Sequence, residues 1–129
     1  TRMVPAADVV RKTVDAYVQA VAQGTVDDIL ALYADGATVE DPVGTEVRTT
    51  EQAIREFYAV LEPLEQSAEL LACKIASNSA AFHFRLVSKF GENTFEVAPI
   101  DVMEFDDDGR ITSMRAYWSP EDLVQLSGN

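Results

Sequence analysis

The stretch VAPIDVMEFDDDGRITSMRAYW, Val97 to Trp118, decides the fold. Its centre, DDDG at Asp106 to Gly109, is a strong hairpin signal. A run from Thr94 to Phe105 leads into that turn, and a last strand runs from about Arg110 to Trp118. Upstream, across a turn at Gly91 to Asn93, the chain alternates with period two from Ala80 to Phe90. Ala80, Phe82, Phe84, Leu86, Ser88 and Phe90 share one face, and Ala81, His83, Arg85, Val87 and Lys89 the other. The first face is apolar and the second largely polar.

Further upstream the period changes. Val10, Val14, Tyr17, Val18 and Val21 recur at helical spacing and form one apolar stripe. Asp8 suits the start of that helix and Gly24 its end. The spacing predicts a second helix from Val26 to Tyr33, with Thr25 and Asp28 as a weak capping pair. ADGATVEDPVG, from Ala34 to Gly44, then breaks the helix at Gly36 and reaches Pro42, which pushes Asp41 towards an extended conformation. A third helix is expected from about Glu51 to Val60, with Thr49 and Gln52 at capping-box spacing. Ile54, Phe57, Tyr58 and Leu61 form its apolar face, and Pro63 ends it. Helices first and long strands afterwards read as α+β: an antiparallel, curved sheet with helices on one face and a pocket between.

Composition narrows the function classes. The 129 residues fit one domain, 1–129, with 47% apolar and 25% charged residues. A formal net charge of −12 disfavours nucleic-acid backbones and anionic membrane surfaces. No apolar run approaches the roughly 20 residues that span a bilayer, and the N-terminal TRMVPAADVVRK lacks a secretory core. The single cysteine, Cys73, reads as a buried inert thiol and favours a reducing, cytoplasmic setting. One His and one Cys without ligand spacing argue against a transition-metal site.

Asp101 is the most informative single residue. Period two puts its carboxyl on one face with Val97, Pro99, Met103 and Phe105. Burial there would raise its pKa and make it a hydrogen-bond donor at neutral pH. The opposite face, with Ala98, Ile100 and Val102, is apolar enough to point inward instead, so the pattern leaves two orientations open. Tyr17 lies within the stripe of the first helix, where a buried phenol needs a partner for its hydroxyl. Tyr33 and Tyr58 fall on inward helical faces and could join it in a hydrogen-bond chain. Asp41 reads either as a turn residue before Pro42 or as a carboxylate at a pocket edge. His83 reads as a surface residue on the polar face of its strand.

The segments from Tyr33 to Gly44, Ala53 to Tyr58 and Val97 to Trp118 closely resemble the bacterial Δ5-3-ketosteroid isomerases, in order and in spacing. The resemblance implies the cone-shaped α+β fold named for nuclear transport factor two, with three helices on a curved, mostly antiparallel sheet, usually as a homodimer. It implies isomerisation of 3-oxo-Δ5-steroids to 3-oxo-Δ4-steroids without cofactor or metal. Asp41 would be the general base, Tyr17 and a protonated Asp101 the oxyanion-hole donors, and Tyr58 and Tyr33 the hydrogen bonds behind them. Phe84, Met114 and Trp118 are the expected steroid contacts, with Phe82, Leu86, Pro99, Val21 and Leu61 as further candidates. The region from Leu61 to Ala76 carries no motif, which leaves substrate selectivity open. Two other readings stand beside this one. The first is an isomerase or dehydratase of the same fold acting on a non-steroid ketone. The second is a module that binds a hydrophobic ligand without turnover.

Overall fold

The structure is a computed structural model and describes residues 4–128. Helix α1, Ala7–Gln23, buries Val10, Val14, Tyr17, Val18 and Val21, and the Gly24 N–H closes it on the Ala20 carbonyl. Helix α2, Val26–Leu30, opens on a reciprocal cap: Thr25 Oγ1 accepts from the Asp28 N–H, and the Asp28 carboxylate accepts from the Thr25 N–H.

Helix α2 is shorter than its sequence pattern predicts. The chain leaves it after Leu30, and Tyr33 opens a strand, β1, Tyr33–Glu40. Tyr33 is therefore buried from a strand and not from a helical face. Gly36, with φ of +75°, lies where the β1 register slips between Tyr33 and Thr38, so it marks a bulge and not the end of regular structure. Helix α3, Glu51–Ala59, is capped by Thr50, whose hydroxyl accepts from the Ala53 N–H at 3.1 Å, one residue later than the expected Thr49.

Six further strands follow: β2 Glu65–Ala76, β3 Ser79–Phe90, β4 Asn93–Val97, β5 Ile100–Phe105, β6 Ile111–Tyr117 and β7 Val124–Ser127. The sheet order is β1-β6-β5-β3-β4-β7, with β2 on the other edge of β3. Only the β1–β6 pair is parallel. The expected single run from Thr94 to Phe105 is two strands, because Pro99 has no N–H to give a ladder. Strand β5 pairs with the first half of β3, from Ser79 to His83, and β4 with the second half, from Leu86 to Phe90. The Phe84 N–H reaches the Pro99 carbonyl across the gap.

The core lies between the helices and the inner sheet face. Along β5 the inward residues are Asp101, Met103 and Phe105, while Ile100 and Glu104 are exposed, so the orientation that the sequence left open resolves with Asp101 inward. Cys73 is half-buried rather than buried. Among the described residues no helix is long and apolar enough to cross a membrane.

Candidate active site

Two sheet connections position the acids. Asp41 follows the last residue of β1, whose Glu40 sits beside Arg115 of β6 in parallel register. Arg115 Nε donates to Glu40 Oε1 at 2.9 Å, the Gly44 N–H donates to Glu40 Oε2, and the Val43 N–H donates to the Ala116 carbonyl. The loop that carries Asp41 is thus tied on both sides. Asp101 lies in β5 directly opposite Phe82 on one side and Ala116 on the other, which leaves its backbone no freedom to turn the carboxyl outward.

A cavity of about 450 Å³ opens between α1, α3 and the sheet. Tyr17, Asp41, Tyr58 and Asp101 all line it. Asp101 is 1% exposed, and its Oδ1 has no hydrogen-bond partner among the described residues. Burial, reinforced by the charge of Asp41, holds its carboxyl well above the usual carboxylate range. A proton held on Oδ1 would be a donor without an acceptor among the described residues.

Asp41 is treated differently. Burial pushes its carboxyl up, but the Trp118 indole N–H donates to Oδ1 at 2.7 Å and the Arg48 cation lies close enough to act on it, and both oppose the rise. Tyr17 Oη and Tyr58 Oη are 2.9 Å apart, and Tyr58 Oη and Tyr33 Oη 2.6 Å. Burial raises the pKa of all three phenols, so they are neutral across the physiological range. The arrangement can hold an apolar ketone, remove a proton beside it with Asp41, and receive the developing oxyanion on neutral donors.

Phe84, Leu86, Pro99, Trp118, Val21 and Leu61 line the cavity. Tyr33 reaches it only through Tyr58. Phe82 and Met114, expected as ligand contacts, lie elsewhere. Phe82 is buried behind Tyr17, ring edge to ring face with centroids 6.2 Å apart, and supports that tyrosine. Met114 is wholly buried in β6 between its neighbours Met103 and Val39. Leu64, Phe90, Phe95 and Leu123, not among the expected ligand contacts, also line the cavity. Phe90 belongs to the alternating apolar face of β3 and was legible. Leu123 follows a short 3₁₀ turn, Pro120–Asp122, and no periodicity points to it.

The sequence profile of the SnoaL-like domain family matches residues 14–114. A steroid Delta-isomerase of Nocardioides simplex is 49% identical over 115 residues, which cover 89% of this chain and 94% of that protein. Among solved structures, SalBIII, described as an epoxide hydrolase/cyclase-like enzyme in pyran ring formation in the polyether salinomycin, is 26% identical with a TM-score of 0.83, over 90% of this chain and 95% of its own. RV0760c of Mycobacterium tuberculosis shares the fold with the same TM-score at 22% identity, over 91% of this chain and 96% of its own. The extent of the profile match and the 49% identity over most of both chains decide the matter: the chain belongs to the SnoaL-like domain family, in the nuclear transport factor two-like superfamily, and stands there among the isomerases.

Proposed function

We propose that the protein isomerises 3-oxo-Δ5-steroids to 3-oxo-Δ4-steroids, with Asp41 as base and with Tyr17 and protonated Asp101 as donors to the substrate ketone. The observation that carries this reading is the orphaned Oδ1 of Asp101, buried on the wall of the cavity that Tyr17 and Asp41 also line. A buried polar atom without a partner costs on the order of 1–3 kcal/mol. A ligand oxygen would relieve that cost.

The proton bookkeeping closes on these residues. The Asp41 carboxylate takes a proton from the carbon between the ketone and the alkene. The electron pair of that C–H bond delocalises through the ketone and the alkene, and negative charge collects on the ketone oxygen as a dienolate. Asp41, now protonated, returns its proton to the far alkene carbon, and the double bond ends in conjugation with the ketone. For Tyr17 to donate to the oxygen, Tyr58 must donate to Tyr17 and Tyr33 to Tyr58, so the three hydroxyls run in one direction. The apolar walls suit a rigid hydrocarbon.

The reading includes a homodimer joined through the outer sheet face. Ala72, His83, Ile100 and Tyr117 are cross-strand neighbours in one row there. It also includes a cytoplasmic setting, which the free thiol of Cys73 supports. The deciding experiment is turnover of a β,γ-unsaturated 3-oxo steroid by the pure protein, followed by the absorbance of the conjugated enone. Isomerisation that disappears in Asp41→Asn, with steroid binding retained, is the expected result. Binding without isomerisation by the wild-type protein would overturn the proposal in favour of a carrier.

A further inference from the structure

The cavity has polar groups at two places. One is the reacting end, with Tyr17, Asp41, Tyr58, Asp101 and the Trp118 indole. The other is Ser88, the one remaining cavity-lining side chain with a polar atom among the described residues. Asp101 faces Phe82 in the β3–β5 ladder, and Ser88 faces Phe95 in the β3–β4 ladder. The stretch of β3 between Phe82 and Ser88 spans roughly 20 Å at the usual strand rise. Phe84, Leu86 and Val97 line the wall between the two places, and none of them can hydrogen-bond through its side chain.

Ser88 is not a loose surface hydroxyl. It is half-buried and lies directly across the β2–β3 ladder from Gln66, whose Nε2 donates to Ser88 Oγ at 2.8 Å. A serine hydroxyl has one donor and two acceptor positions. Gln66 occupies an acceptor position, which leaves the O–H proton for a group in the cavity.

We propose that Ser88, held by Gln66, is a specificity-determining residue. Its hydroxyl donates to an acceptor oxygen, a ketone carbonyl, at the end of the ligand remote from the reacting ketone. The ligand class is an elongated apolar skeleton with an oxygen at each end, which in the steroid reading means a ketone on the five-membered ring. The inference deepens that reading and rests on it for the choice of ligand. Apolar walls alone would favour a skeleton without the second oxygen, since burying an unpaired carbonyl is unfavourable.

The test uses two Δ4-3-oxo steroids, one with a ketone at carbon 17 and one with hydrogen there. Binding is read by the fluorescence of Trp118, the single tryptophan of the chain, which lines the cavity. The wild-type protein is expected to prefer the diketone by about fivefold, the size of one ordinary hydrogen bond. Ser88→Ala should erase that preference, and Ser88→Thr, which keeps the hydroxyl, should retain it. A preference that is absent in the wild type, or unchanged in Ser88→Ala, overturns the assignment. Turnover of the matching β,γ isomers separates the two proposals. A preference that depends on Ser88, without isomerisation, sinks the catalytic reading alone, and isomerisation without the preference sinks the role of Ser88 alone. Failure of the wild type to bind either steroid overturns both.

Discussion

The two aspartates that line the cavity differ in what acts on their charge. Burial, with the charge of Asp41 added, raises the Asp101 pKa. Asp41 has the Trp118 indole and Arg48. The Arg48 guanidinium stacks 4.4 Å from the centre of the Phe57 ring, and its buried Nη1 has no hydrogen-bond partner among the described residues, so its charge is poorly neutralised by contact. Because the cation lowers the Asp41 pKa, Arg48→Met should raise it. In the proposed mechanism Asp41 works only when ionised, so the acid limb of the kcat/KM profile should move to higher pH in that variant. A limb that stays in place would separate Arg48 from the base. Loss of one donor in Tyr17→Phe should cost on the order of 3 kcal/mol in the barrier, about a hundredfold in kcat.

Asp101 also makes a prediction about stability. In the unfolded chain it releases its proton near pH 4, at about the ordinary aspartate value. In the folded protein burial keeps the proton on to higher pH. The folded state therefore binds more protons, and stability falls as pH rises from about 4 towards the folded pKa. Asp101→Asn removes this linkage. Urea unfolding of the two proteins at several pH values should show the wild type losing ground to Asp101→Asn as pH rises above about 4. A constant difference over that range would mean that Asp101 is ionised in the fold.

At the scale of elements, one close approach ties the hairpin that carries Asp101 to the helix that carries Tyr17. Gly109, in the turn between β5 and β6, has φ of +83°, and a side chain built there would meet Val9 Cγ1 of α1 at 2.5 Å. Thr13 Oγ1 donates to the Gly109 carbonyl at 2.9 Å. The hairpin that carries Asp101 thereby rests on the helix that carries Tyr17. Gly109→Ala should destabilise by about 1–2 kcal/mol from backbone conformation alone, and by more from the contact with Val9, as measured by urea unfolding. A neutral result would mean that the turn adapts freely.

The same elements show what was legible in the sequence. The stripe of α1, the alternation of β3 and the DDDG turn follow from period and turn chemistry and hold in the structure. The strand β1 was hidden because Gly36 read as a helix breaker where it marks a bulge. The full length of strand β2 was hidden because its register slips between Leu70 and Ala72, which interrupts the alternation, and because none of its residues is fully buried. Asp101 needed tertiary structure, since both faces of its strand are apolar and only the helices covering one of them decide the direction. The cap of α3 fell on Thr50 instead of Thr49 because two adjacent threonines offer the same chemistry.

For the whole molecule, the outer face of the sheet carries exposed apolar residues among its charged ones. Leu71 and Ile100 are each 47% exposed and Tyr117 44%, on β2, β5 and β6. Such a patch on a chain with net charge −12 suits a second copy that matches it in apolar area and keeps the carboxylates at the rim. Ile100→Lys should give a monomer by sedimentation with the cavity intact. A wild-type monomer at micromolar concentration would remove the dimer from the proposal.

Strand β3 carries two ladders on one edge, separated at Ala98 and Pro99. One ladder aligns Asp101, and the other brings Phe95 and Val97 to the cavity wall. A slip or insertion in β4 would reshape that wall and leave the ladder that aligns Asp101 in place. A lineage built on this frame can therefore retool what it accepts while inheriting its chemistry unaltered, as a tradesman changes the jaws of a vice and keeps the screw.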